Sequence, residues 1–124
     1  MRRWLTPQIE AVVCRHEQNA AFIAGGIGRL TGKAGVAIRT SGPGVSNLTT
    51  GLASATSEGD PVVTLGGSVP TSQSFSLIHQ TLHAVNVLKP VTKFCAEISS
   101  PEMIGEVMAN AFRSAESGGP VPPL

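Results

Sequence analysis

Short apolar runs alternate with helical patterns along this 124-residue chain, and glycine or proline marks nearly every joint between them. Residues 9–14 read as a strand, and residues 16–30 as an apolar helix packed on most sides and stopped by Thr31-Gly32. Residues 35–40 are a second strand, 41–44 a turn and 45–57 a second helix. A third strand over 61–65 opens at Asp60-Pro61 and closes at Gly66-Gly67. Residues 68–88 are polar and aperiodic, a long loop with room for one short helical turn. A fourth strand spans 91–98, and Ser100-Pro101-Glu102 then caps an amphipathic helix reaching about residue 117, with Met103, Val107 and Phe112 facing inward. Strands separated by helices pair in parallel, because each crossover returns the chain to the same edge. The expected fold is therefore α/β, a three-layer arrangement of a mostly parallel sheet with helices on both faces.

Composition supports one domain with a real core: 41% of residues are hydrophobic, 14% are charged and 14 are glycine. The chain is expected to be a single, partial domain, with a stub at 1–8, a core at 9–119 and a tail at 120–124. Both ends look truncated, since an earlier strand and a closing strand are missing from the pattern. Sheet edges or core surface left open in that way would favour association. A net charge of +1 with scattered basic residues excludes an electrostatic nucleic-acid surface, and 4% aromatics cannot build a base-stacking platform. Cys14 and Cys95 lie in separate strand-like runs without metal spacing, so they are expected as core thiols in a reducing compartment. No run reaches the ~18 apolar residues of a membrane span. Met1-Arg2-Arg3 resembles a signal start, but Thr6, Pro7, Gln8 and Glu10 interrupt the apolar stretch that should follow. The expected location is cytoplasmic.

Two glycine patterns imitate phosphate loops. Gly25-Gly26-Ile27-Gly28 falls inside a helix and does not complete GxGxxG. The run from Gly28 to Lys33 is one residue short of a P-loop, with Ala34 in place of Ser or Thr. Both read better as small residues for close helix packing. The turn Thr40-Ser41-Gly42-Pro43-Gly44 is more informative. It follows a strand and precedes a helix, at the edge where open α/β sheets bind ligands. Gly42 and Gly44 admit a ligand to the backbone, and Asn47 offers an amide. By itself the pattern reads first as an ordinary structural turn. Glu17 stands at the joint between the first strand and the first helix, where burial would raise its pKa and the helix dipole would lower it. Alone it reads as a first-turn acid. Neighbouring strand ends would bring it and the TSGPG turn to one ligand.

Together these residues carry a resemblance. Arg15-His16-Glu17-Gln18-Asn19-Ala20-Ala21-Phe22, Gly28-Arg29-Leu30-Thr31-Gly32-Lys33, the TSGPG turn, Ser57-Glu58-Gly59-Asp60-Pro61-Val62-Val63, His79-Gln80 and Pro90-Val91-Thr92-Lys93-Phe94 are similar to the pyrimidine-binding domain of thiamine-diphosphate enzymes. The similarity is greatest to acetolactate synthases of the catabolic kind, and covers about residues 9–119. It implies that the carboxyl matching Glu17 hydrogen-bonds the aminopyrimidine of the cofactor and favours its imino tautomer. It also implies decarboxylation of pyruvate and ligation to a second pyruvate, with the cofactor as electron sink. Gln80 matches an active-site glutamine, and Pro43, Gly44 and Asn47 match the turn beside the aminopyrimidine. His79 and His83 are open between surface and site roles, as Lys93 is between a salt bridge and catalysis.

Only the aminopyrimidine end of thiamine diphosphate has matching residues. The family's GDG…NN motif for magnesium and the diphosphate is absent, and the single aspartate, Asp60, reads as a turn residue. The resemblance therefore implies a homo-oligomer, or pairing with a diphosphate-binding domain, and an isolated chain that does not turn over pyruvate. Three other readings stand beside it. One is a fragment of another thiamine-diphosphate decarboxylase, carboligase or oxidase, although glyoxylate carboligases lack the carboxylate at the position of Glu17. Another is a non-catalytic remnant or interaction module pairing through the small-residue helix around Ala20–Gly28. The third is a split enzyme with its metal domain on a second polypeptide.

Overall fold

The structure, a computed structural model, describes residues 9–69 and 82–118. The alternating pattern is realised in its central part. Helix α1 (Glu17–Thr31) leads to strand β1 (Gly35–Arg39), then to the short helix α2 (Pro43–Ser46) and helix α3 (Thr49–Glu58). Strand β2 (Val62–Gly66) follows; helix α4 (Ala84–Leu88), two 3-10 turns (Lys89–Val91 and Pro101–Met103) and helix α5 (Ile104–Glu116) complete the described elements. β1 and β2 pair in parallel, from Gly35 opposite Val62 to Arg39 opposite Gly66. The chain is thus α/β with parallel strands joined by helices.

Glycine ends both of the longer early helices for one physical reason. Gly32 and Gly59 adopt left-handed backbone, with φ of 70° and 75°, which glycine reaches without a Cβ penalty. The Gly32 N–H closes α1 on the Gly28 carbonyl at 2.8 Å. The helix expected over 45–57 is divided at Asn47-Leu48, because Pro43 starts a separate first turn.

Packing centres on Ala21, Val45, Leu48, Leu52 and Leu88, with Val62, Ala84, Val91 and Cys95 against them. Val45 and Leu48 are fully buried, each contributing roughly 1.5–3 kcal/mol of transfer free energy. Helix α1 packs on β1, β2 and α3, and α5 packs on β2. Cys95 joins the core. Cys14 is half-buried but is not among the residues packed on that cluster.

Four expectations are corrected here. Residues 9–14 form no strand: Ile9, Val12 and Val13 are 65%, 70% and 94% exposed, and no described strand pairs with them. A β-rich stretch without a neighbouring ladder leaves its backbone groups to water. Residues 91–98 form no strand either. Pro90 sits in a 3-10 turn, and side chains take the local carbonyls: Thr92 Oγ1 donates to Leu88 O at 2.9 Å and Thr56 Oγ1 to Val91 O at 2.8 Å. Helix α1 is not packed on most sides. It buries Ala21, Ala24, Gly25 and Gly28, while Phe22, Ile23, Ile27 and Leu30 stay exposed. Met103 lies in the 3-10 turn before α5 and is exposed, whereas Val107 and Phe112 are half-buried.

Candidate functional site

Glu17 is the first residue of α1. His16 caps the helix, its Nδ1 accepting the Gln18 N–H at 3.1 Å. The helix meets α3 almost backbone to backbone, since a Cβ on Gly51 would lie 2.5 Å from that of Ala21. This approach presses the start of α1 against the end of α2. There Asn47 Nδ2 donates to Glu17 Oε2 at 3.0 Å. The carboxylate and the glycine turn do converge, but through helix packing and not through neighbouring strand ends.

The two turn glycines serve different needs. Gly42 has φ of 68° and ψ of −127°, a conformation that side chains resist. Gly44 is needed for space. A Cβ there would stand 3.3 Å from Arg39 Nη1, 3.3 Å from Thr40 Cγ2 and 3.4 Å from Glu17 Oε1. The missing side chain thus lets a carboxylate, a guanidinium and a methyl group close on the Gly44 backbone. Pro43, the first residue of α2, is exposed; its carbonyl accepts the Asn47 N–H at 3.0 Å and the Ser46 hydroxyl at 2.9 Å.

Electrostatics hold Glu17 ionised. Its pKa is lowered, first by the Asn47 hydrogen bond and then by its own backbone N–H, with smaller help from His16 and Arg39; desolvation opposes them. Arg39 belongs to none of the motifs in the sequence. It ends β1 and is 9% exposed, and burial depresses its pKa while the Glu17 charge raises it. Period two was the available signal, because Gly35, Ala37 and Arg39 alternate onto one buried face.

The remaining candidates fall elsewhere. Gln80 and His79 lie outside the described residues. His83 precedes α4, and both it and the exposed Lys93 line a cleft of about 1350 Å³ between β2, α4 and α5. Asp60 is more than a turn residue: its carboxylate takes Arg29 Nε and Nη2, both at 2.9 Å. Gly25 and Gly28 serve packing, as expected of the decoy glycines, and sit in the interior of α1 rather than at a helix N-terminus. Among the described residues no group of three His, Cys, Asp or Glu is placed to hold a metal ion, and no helix is long and apolar enough to cross a membrane.

Residues 3–89 match the family described as thiamine pyrophosphate enzyme, N-terminal TPP binding domain. The chain belongs to this family. It is 53% identical over 116 residues to a catabolic acetolactate synthase of Raoultella terrigena, covering 94% of this chain and 21% of that protein. To an acetolactate synthase of Bacillus subtilis (strain 168) it is 50% identical over 109 residues, covering 88% and 19%. A probable acetolactate synthase large subunit of Methanocaldococcus jannaschii is 42% identical over 111 residues, covering 90% and 19%. The chain thus spans about one fifth of the length of these relatives.

The thiamine pyrophosphate family gives Glu17 a chemical test. A ring nitrogen of an aminopyrimidine donates a hydrogen bond only when protonated, and it then needs an anionic acceptor. The ionised Glu17 carboxylate, with Oε1 beside the Gly44 backbone, is such an acceptor.

Proposed function

We propose that this chain supplies the aminopyrimidine-binding half of a thiamine-diphosphate site in an acetolactate synthase-like enzyme. The supporting observation is the Glu17 carboxylate, held ionised by Asn47 with its second oxygen beside the Gly44 backbone. Glu17 accepts a hydrogen bond from a protonated ring nitrogen and stabilises the charge there. Asn47 orients Glu17, and the Pro43-Gly44 backbone forms one wall; Gln80, outside the described residues, is the substrate-contacting glutamine that the family resemblance implies. When bound, thiamine diphosphate supplies the electron sink for decarboxylation of pyruvate, or a similar 2-oxo acid, and its ligation to a second molecule.

In this reading the sheet carries helices on both faces, and magnesium with the diphosphate is held by a partner domain whose GDG…NN motif is not among these 124 residues. The site is completed in a homo-oligomer or by pairing with such a domain, in the cytoplasm. Exposed Phe22, Ile27 and Leu30 on α1 favour such pairing. Thiamine and thiamine diphosphate are therefore expected to bind this chain alike in titration calorimetry. Glu17→Gln should weaken both roughly tenfold or more, as loss of a charged acceptor does. Equal binding by wild type and variant would refute the reading.

A further inference from the structure

Arg39 has no role in the cofactor reading, yet its placement is the least ordinary in the molecule. Its guanidinium lies across the C-terminal ends of both strands, between two glycines. A Cβ on Gly66 would come within 2.3 Å of Nη2, and one on Gly44 within 3.3 Å of Nη1. Nε, Nη1 and Nη2 are all buried without a hydrogen-bond partner. A guanidinium cannot escape by losing its proton, and an uncompensated buried charge is strongly destabilising.

The chain does not neutralise that charge by direct pairing. All eight Asp and Glu side chains of the sequence fall among the described residues, and none is ion-paired with Arg39. Glu17 is the acid whose charge reaches it, but one Glu17 oxygen is taken by Asn47. Residues 70–81 contain no acid at all.

We propose that Arg39 anchors a small monocarboxylate, the carboxylate end of a 2-oxo acid, at the ligand edge of the strands beside Glu17. A guanidinium fork matches a flat carboxylate with two parallel hydrogen bonds. One buried cation also balances one negative charge. Room for the rest of the ligand lies in the adjoining cleft, which Arg39 lines together with Gly66, Gly67 and Ser68. Arg39 presents its donors by turning toward that cleft, and then stands between the anion and Glu17, so the two carboxylates do not face each other unscreened. The choice of a 2-oxo acid among small carboxylates rests on the proposed thiamine-diphosphate reading.

The test is binding of carboxyl-labelled pyruvate to the full 124-residue chain without cofactor, followed by carbon NMR and by thermal shift. Pyruvamide serves as the neutral analogue, with inorganic phosphate and acetate as competitors. Saturable broadening by wild type is expected. Arg39→Met should weaken binding at least tenfold while unfolding at an equal or higher temperature, and Arg39→Lys should fall between the two. No pyruvate binding up to tens of millimolar, equal binding of pyruvamide, tighter binding of phosphate, or undiminished binding by Arg39→Met would each overturn the proposal. Acetate binding as tightly as pyruvate would remove the 2-oxo acid assignment and overturn the proposal as stated. Thiamine titrated separately keeps the two readings distinct: pyruvate binding without thiamine binding would sink the cofactor reading alone, and the reverse would sink the anion site alone.

Discussion

Three alanine substitutions within one helix measure how closely α1 approaches β2. Gly26 and Gly28 both lie inside α1, two residues apart, and alanine is intrinsically favoured over glycine there by about 1 kcal/mol. At Gly26 nothing lies within 4 Å of the added Cβ, so Gly26→Ala should realise that gain nearly in full. At Gly28 the Cβ would stand 2.2 Å from the Pro61 carbonyl oxygen. That carbonyl also accepts the Gly35 N–H at 3.1 Å, which ties the segment before β2 to the start of β1. Backbone on both sides of the clash cannot choose another rotamer, which puts the overpacking cost near the upper end of its usual range, about 3 kcal/mol. Net of the propensity gain, Gly28→Ala should lose roughly 2 kcal/mol, leaving the two variants separated by about 3 kcal/mol. Gly25→Ala meets Asp60, Ala55 and Val62 at 3.8–3.9 Å, ordinary contact, and should behave like Gly26→Ala. Urea unfolding at constant m reads these differences directly. A Gly28→Ala protein as stable as Gly26→Ala would refute the close approach of α1 to the segment before β2.

Removing Asn47 should raise the Glu17 pKa, since its amide is the largest cause of the depression; carboxyl-carbon NMR titration of wild type and Asn47→Ala would show it, and coincident curves would count against the geometry. Because the folded pKa of Glu17 is lowered, its stabilising contribution is complete above the ordinary carboxylate value and is lost as pH falls through the lowered one. Asn47→Ala should therefore flatten the acid limb of a stability–pH profile. Thr56→Val strips the Val91 carbonyl of its donor and should cost about 1–2 kcal/mol in urea unfolding; a neutral result would mean that water replaces the hydroxyl without loss.

The boundaries of α1, β1 and β2 were legible within one or two residues, because periodicity and the glycines that stop the helices act locally. Glu17, Pro43, Gly44 and Asn47 were grouped by the family resemblance, and the structure brings Glu17, Gly44 and Asn47 together. Asn47 was expected to face the cofactor, whereas its amide is directed at Glu17, a pairing that depends on how α1 lies against α3. Asp60 looked like a turn residue until Arg29, 31 positions earlier, was brought beside it.

By itself the sequence determined the α/β alternation and the early helix stops, both of which follow from short-range φ preferences and side-chain spacing. Tertiary structure decided which β-rich stretches became strands. Residues 9–14 and 91–98 carry strand-like composition, but a ladder needs a neighbour, and only β1 and β2 find each other among the described residues. It also decided the fate of Arg39. A charge at the end of a strand is ordinary in sequence, and only the convergence of Gly44 and Gly66 around it makes it buried and unpaired. Period two assigns Arg39 to one face of β1, but what closes over that face comes from elements distant in sequence.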